Sequence, residues 1–253
     1  MDLWILAAGR GSRLNNRTKD LPKCMVKILG APILKWQLDT LRSTSIEHVG
    51  MVVGYRKEKI PYTGIQYIEN PRWASTNMVY SLICARQKIS DKTFIVSYSD
   101  ILYPAKHLEL LIKSPAEITV VYDKNWEALW AERMTNPLND AETFKCDQDN
   151  LITNIGNHPN SLEEIEGQYI GLLKFTGKGW SWAREIIDSM DPRKLDKLQM
   201  TKLLSRLIDA GYPVVGLEVD GNWVEVDSEQ DLEVYESKLL NRPVGVWHHD
   251  WRI

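Results

Sequence analysis

A continuous apolar run, Leu3 to Ala8, stops at a glycine-rich turn that carries an arginine, giving the string LAAGRGSRL from Leu6 to Leu14. An apolar run without alternation suits a strand buried on both faces of a parallel sheet. A glycine-rich turn leaving such a strand lets backbone N–H groups converge on phosphate oxygens, and Arg13 adds a charged fork. Two familiar phosphate loops are excluded. No G-x-x-x-x-G-K-[ST] string occurs in the chain. A dinucleotide fingerprint needs a third small residue where Leu14 stands, and an acidic residue closing the second strand, where Gly54 follows Val53. The candidate nucleotide contacts of this turn are Leu6, Ala7, Ala8, Gly9, Gly11 and Ser12, beside Arg13.

The segments that follow predict what the turn belongs to. Pro32 to Ser43 has helical spacing, and His48 to Val53 and Gln66 to Ile68 read as strands. Ser75 or Thr76 is placed to cap a helix running through Val79, Leu82 and Ile83. Thr93 to Tyr98 and Ile118 to Tyr122 are strands around a helix at Ala105 to Lys113. From residue 140 the strands shorten (Glu142–Cys146, Leu151–Ile155, Tyr169–Phe175), and helices follow near Lys178–Met190 and Met200–Ala210. Pro213–Val219 and Trp223–Val226 read as closing strands and Gln230–Leu240 as a last helix. This order predicts an α/β fold, a Rossmann-like three-layer αβα sandwich on a mostly parallel mixed sheet, with a small inserted β/α lobe. One domain over residues 1–253 is expected, its inserted portion roughly 123–210. The tail from Pro243 to Ile253 has no clear periodicity, and docking on the body and docking on a partner copy both stay open.

Composition narrows the class. The 253 residues carry a net charge of -3, which argues against non-specific nucleic-acid binding. The three cysteines are scattered and form no C-x-x-C pair, which points to a reducing, cytoplasmic setting and away from a thiolate zinc site. The opening MDLWILAAG reads as a strand, not a signal peptide, and no stretch reaches the ~20 apolar residues of a membrane helix. Ten tryptophans stand against three phenylalanines, and most of these indoles are expected in packing roles.

Beyond the turn, Pro22 in DLPK (Asp20 to Lys23) restricts the loop, so that Lys23 can point at the same phosphates as Arg13. The strand ending at Tyr98 delivers Ser99 and Asp100, and ligands of open parallel sheets sit beyond such strand ends. In NWVEVD, Asn222 to Asp227, strand period two puts Trp223, Glu225 and Asp227 on one face and turns Val224 and Val226 into the core. Carboxylates so gathered repel unless a cation intervenes, and magnesium prefers such hard oxygen ligands. The plainer alternative is an Asp100 that caps the next turn and a solvent-facing Glu225 and Asp227.

The ordered pair LAAGxGxRL and LPK resembles the signature of the sugar-nucleotide and cytidylyltransferase superfamily. The resemblance covers essentially the whole chain and implies the nucleotide-diphospho-sugar transferase type of fold. It further implies a Mg2+-dependent nucleotidyltransferase in which Asp100 and Asp227 are the main metal ligands, with Glu225 close behind. Lys23 and Arg13 are then the catalytic cations. The segment RWASTNMVYSL, Arg72 to Leu82, looks like the family loop that receives the base, and Asn77 and Ser81 have the chemistry to read an amide-like edge. Both are equally ordinary at a helix start, so the choice of CTP rests on the resemblance.

DKNWEALWAER (Asp123 to Arg133), NPLNDAE and IEGQYIGL look like the branch of cytidylyltransferases that handles small phosphonates, phosphoglutamine and phosphocholine. The expected acceptor contacts are Asp123, Lys124, Trp126, Trp130, Arg133, Glu166, Gln168 and Tyr169. Trp126 and Trp130 share one face if their stretch is helical, as an aromatic wall beside an ammonium or as core packing. Lys124 and Arg133 favour an acceptor with an anionic or polar far end. The expected partners are CTP and a small anionic acceptor, led by 2-aminoethylphosphonate and 2-hydroxyethylphosphonate, then phosphoglutamine, then phosphocholine. A homodimer is a candidate assembly, and neither nucleic acid nor membrane is expected. The rival readings are a sugar-1-phosphate nucleotidyltransferase using UTP, TTP or GTP, and a catalytically silent nucleotide-binding subunit. Replacing Lys23 by Ala is expected to cut the turnover of pyrophosphate release about a hundredfold, the ~3 kcal/mol of one well-placed charge contact in a transition state.

Overall fold

The computed structural model describes residues 1–89 and 91–253. Among these, seven strands form one sheet in the order Val215–Val219, Ile118–Asp123, Gln168–Phe175, Phe94–Tyr98, Asp2–Ala7, His48–Val53, Gln66–Glu69. Asp2–Ala7 lies parallel to both its neighbours, with Leu6 opposite Val52 on one side and Tyr98 on the other. Gln168–Phe175 runs antiparallel to the strands flanking it, which makes the sheet mixed.

The unalternating first strand has the burial its sequence predicts. Leu3, Ile5 and Ala7 join an apolar core on one face of the sheet, while Trp4 and Leu6 join a second core on the other. Helices Ile33–Leu41, Ala105–Lys113, Trp126–Arg133 and Glu229–Leu239 cover the first face with residues such as Leu34, Leu108, Leu129 and Tyr235. Helices Met78–Cys84, Gly177–Asp188 and Met200–Asp209 cover the second with Leu82, Trp180 and Leu204. The result is the expected three-layer α/β architecture. Phe144–Cys146 and Ile152–Ile155 pair antiparallel outside the main sheet and pack Phe144, Ile152 and Ile155 into the second core.

Two local expectations are corrected and one open alternative is decided. The helix Met78–Cys84 is capped by Asn77, whose side chain accepts from the Met78 N–H at 2.8 Å. Thr76 instead turns its hydroxyl back on the Arg72 carbonyl, 2.8 Å away, so the chain reaches helical geometry later than its first hydroxyl suggests. Trp223 does not share the outlook of Glu225. It is buried, and its indole N–H donates to Asp123 Oδ2 at 2.7 Å, because a large ring gains more in the core than at a polar rim. The C-terminal tail docks on the body. Trp247, His249, Asp250 and Trp251 are buried, and the Asn222 N–H bonds the His248 carbonyl at 2.8 Å. Among the described residues no helix is long and apolar enough to cross a membrane.

Trp4 lies flat on the neighbouring strand at Gly50, where a Cβ would stand 2.4 Å from the indole. Gly50→Ala is expected to destabilise the fold by about 1–3 kcal/mol through overpacking of this rigid ring, seen as a lower urea midpoint with an unchanged slope.

Candidate active site

The turn after the first strand is held open by its backbone. Gly11 sits in the left-handed region at φ 71°, and the Thr18 hydroxyl donates to its carbonyl at 3.0 Å. The bare α-carbon of Gly11 lets the stem of Lys23 lie across it, since a Cβ there would stand 2.8 Å from Lys23 Cδ. This close approach carries Lys23 from the short turn after Pro22 into the cleft.

Two strand ends supply the opposite charge. Past Phe94–Tyr98 the chain turns through Ser99 and Asp100 and forms a two-residue strand, Ile101–Leu102, antiparallel to Val224–Glu225. The Val226 N–H bonds the Asp100 carbonyl at 2.9 Å and locks the two segments in register. The turn itself is pinned by the Gln37 amide, which donates to the carbonyls of Tyr98 and Ile101 at 2.7 and 2.9 Å. Segments more than a hundred residues apart thereby bring Asp100, Glu225 and Asp227 together, with one oxygen of each within 4.8 Å of the others. Three hard oxygen donors in this spacing fit a divalent cation such as Mg2+. Asp100 fits it further, because its Oδ1 is buried without a hydrogen-bond partner.

Three side-chain cations meet this cluster. Lys23 Nζ donates to Asp100 Oδ2 at 2.6 Å and also to Asp227 Oδ1. Arg13, largely exposed, reaches the same Asp227 oxygen at 2.9 Å. Arg133 lies behind, fully enclosed, with Asp231 at 3.1 Å, Asp227 at 3.6 Å and Glu225 at 3.7 Å. Burial disfavours the Lys23 ammonium, but Asp100 and Asp227 outweigh it and its pKa rises. Burial likewise opposes ionisation of Asp227, yet Lys23 and Arg13 bring its pKa down to about 2. Glu225 goes the other way. Burial, and then repulsion from Asp227, raise its pKa well above the usual carboxylate range. Asp231 ties this arrangement to the last helix, accepting from the N–H groups of Asp227 and Ser228 at 2.8 and 2.9 Å in a capping box.

Two cavities open from the cluster. The first, about 230 Å³, is lined by the Leu6, Ala8, Gly9 and Gly11 turn, by Lys23, by Trp73 and Asn77 of the segment before the helix Met78–Cys84, and by Ser81 within it. Ala7 belongs to the core and Ser12 is exposed just outside this lining. The Ser81 hydroxyl already accepts from Asn70 at 3.1 Å. The second cavity, about 280 Å³, shares Arg13, Asn77, Glu225 and Asp227 with the first and continues to Trp130, Glu142, Gln168 and Tyr169. Of the expected acceptor contacts, Trp130, Gln168 and Tyr169 therefore reach the cleft. Asp123, Lys124, Trp126, Arg133 and Glu166 do not line it.

The reasons are physical. Asp123 is fully buried and spends its carboxylate on Trp223, Gly221 and Asn125. Lys124 points outward to Glu218 at 2.7 Å. The two indoles do share a helix, in edge contact at 5.9 Å, but Trp126 packs into the core. Arg133 stacks under Trp130, 4.8 Å from the ring centre, and balances carboxylates. Glu166 accepts from the Cys146 N–H at 3.0 Å.

Sequence reasoning passed over Trp73, Tyr98, Asp140, Glu142, Thr201 and Asp231. The NPLNDAE segment offered a signal for Asp140 and Glu142 in its paired acids, whereas Asp231 was legible only as the third residue of a Ser228 capping box. Asp231→Asn is expected to cost about 3 kcal/mol, because Arg133 loses its nearest buried counterion, measured as a fall in urea-unfolding free energy.

Residues 3–151 match the MobA-like NTP transferase domain. The CTP:phosphoglutamine cytidylyltransferase of Campylobacter jejuni is 37% identical over 254 residues, covering 94% of this chain and 100% of that protein. The structure of the inositol-1-phosphate CTP transferase from T. maritima superposes with a TM-score of 0.75 at 21% identity, covering 96% of this chain and 97% of that one. That of the CTP:phosphocholine cytidylyltransferase from Streptococcus pneumoniae gives 0.71 at 21% identity, covering 94% and 98%. Both share the mostly parallel mixed sheet of nucleotide-diphospho-sugar transferases. The chain belongs to the MobA-like NTP transferase family and is a nucleotidyltransferase.

Proposed function

We propose that this enzyme transfers the cytidylyl group of CTP to a small phosphate- or phosphonate-bearing acceptor whose far end carries an ammonium group. The observation that carries the reading is the meeting of the glycine turn, Lys23, Arg13 and three carboxylates where two cavities join. An acceptor oxygen attacks the α-phosphorus of CTP, the bond to the bridging oxygen of the β-phosphate breaks, and pyrophosphate leaves. The attacking oxygen is already anionic near neutral pH, so no strong general base is required. The work is to hold two anions together and to neutralise charge on the α-phosphate. Magnesium held by Asp100 and Asp227, with Glu225 beside them, would supply part of that neutralisation. Lys23, rising over Gly11, serves the α-phosphate. Arg13 and the amides of the turn hold the β- and γ-phosphates, and Trp73, Asn77 and Ser81 face the nucleoside.

The acceptor assignment follows from the second cavity. Its lining has Asp140, Glu142, Trp130, Tyr98 and Tyr169, and Arg13 is its one cation among the described residues. With Lys124 turned outward and Arg133 enclosed, the earlier case for an anionic far end loses its basis. Acids beside aromatic faces suit an ammonium. Burial raises the pKa of Glu142, and an ammonium beside it would favour its charged form. Of the candidates, phosphoglutamine (with an α-carboxylate beside its ammonium), 2-aminoethylphosphonate and phosphocholine carry such a group and 2-hydroxyethylphosphonate does not. The 37% identity to the Campylobacter jejuni enzyme supports phosphoglutamine as the first to try.

The test is pyrophosphate release from each nucleoside triphosphate with a panel of acceptors. CTP with an ammonium-bearing acceptor is expected to lead, and Glu142→Gln should raise the acceptor KM about tenfold with kcat nearly kept. Preference for 2-hydroxyethylphosphonate or for a hexose 1-phosphate would refute the acceptor class, and preference for UTP, TTP or GTP would refute the base.

A further inference from the structure

The Lys23 ammonium stands where a cation bound by the carboxylates would stand. Its Nζ is bonded to Asp100 and Asp227 together, and the Asp227 oxygen it uses also receives Arg13. A divalent ion ~2.1 Å from oxygens of Asp100 and Asp227 would stand beside an ammonium already bonded to both carboxylates, and the two cations would repel strongly. Lys23, Arg13 and Arg133 face Asp100, Glu225, Asp227 and Asp231, with Asp140 at the rim beside Arg13, so three cations already offset the greater part of the carboxylate charge. A bare divalent ion would add its charge to theirs, whereas one that arrives with a triphosphate brings its own compensating charge. The stem of Lys23 is built for the exchange. It lies along Gly11, with Cβ, Cγ and Cδ against the glycine, so its outer bonds can swing the ammonium from the carboxylates to anything held over the turn.

We propose that before nucleotide binds, Lys23 fills the cation position between Asp100 and Asp227, so that divalent metal enters only together with the triphosphate that draws the lysine away. The proposal rests on the metal–triphosphate reading given above and adds an order to it. Lys23 acts first as a resident counterion that keeps the carboxylates closed, and then as a contact to phosphate. By linkage, metal and nucleotide raise each other's affinity by one common factor.

The experiment is a titration with Mn2+, using water proton relaxation to report protein-bound ion, on the wild-type chain and on Lys23→Met, each with and without CTP. Methionine keeps most of the stem and removes the charge. Wild-type protein is expected to hold little Mn2+ alone and to bind it once CTP is present. Lys23→Met is expected to bind Mn2+ without nucleotide about tenfold more tightly than wild type. Equal binding by both proteins without nucleotide would overturn the proposal and leave the proposed function standing. The wild-type titrations decide alone if the variant fails to fold, since saturation at the same Mn2+ level with and without CTP also overturns it. Failure of wild-type protein to bind Mn2+ even with CTP would overturn both the order and the metal–triphosphate reading.

Discussion

Three carboxylates from two remote parts of the chain share one small volume, and this is tolerable only because cations are placed among them. Lys23 spans Asp100 and Asp227 from the cleft side, and Arg133 closes the rear with Asp231. Each ion pair is enclosed enough that losing one partner leaves an uncompensated charge away from water, a cost of several kcal/mol per ion. The cluster is thus a poor source of stability and a strong source of specificity. It asks that the turn after the first strand, the end of the strand at Tyr98 and the strand at Val224 arrive together. The backbone answers with short-range devices: the Gln37 amide on two carbonyls, the Asp100–Val226 bond, and the capping box at Ser228.

Electrostatics also divides the carboxylates by role. Asp227, beside two cations, stays ionised to low pH, while Glu225, enclosed beside Asp227, takes up a proton far more readily. Two acids on one strand, two positions apart, are therefore chemically unlike. The difference lies in their neighbours: Asp227 receives Lys23 and Arg13 directly, whereas Glu225 has Arg133 only at 3.7 Å.

The sheet and the charged cleft around the glycine turn were legible because their signals are local. An apolar run ending in glycine, a proline before a lysine, and an aspartate at a strand end each state their geometry within a few residues. The second half was harder, for reasons that its residues make plain. Asp123, Lys124, Trp126, Arg133 and Glu166 have the chemistry of a binding site, but each is satisfied by a partner, or packed, at long sequence distance. Arg133 finds Asp231 and Asp123 finds Trp223, pairings that no spacing rule contains. Glu142 was hard to place for the opposite reason, since the paired acids of NPLNDAE do not say that Gln168 and Thr201 will hold one of them at a cavity wall. Placement of Trp73 and Asn77 likewise depends on contacts from residues 196 and 197, which clasp the preceding loop.

The reversed strand Gln168–Phe175 has a consequence for how such an enzyme can diversify. The neighbouring strand Phe94–Tyr98 delivers its final residue to the cleft, but this strand, running the other way, delivers its opening ones, Gln168 and Tyr169. Much of the excursion between Asp123 and Gln168 can therefore vary in length and letters while it leaves from the buried core and returns at the cleft. On the proposed reading, changes there would alter the acceptor wall more than the glycine turn that faces the triphosphate. One reagent could then serve lineages with quite different metabolites.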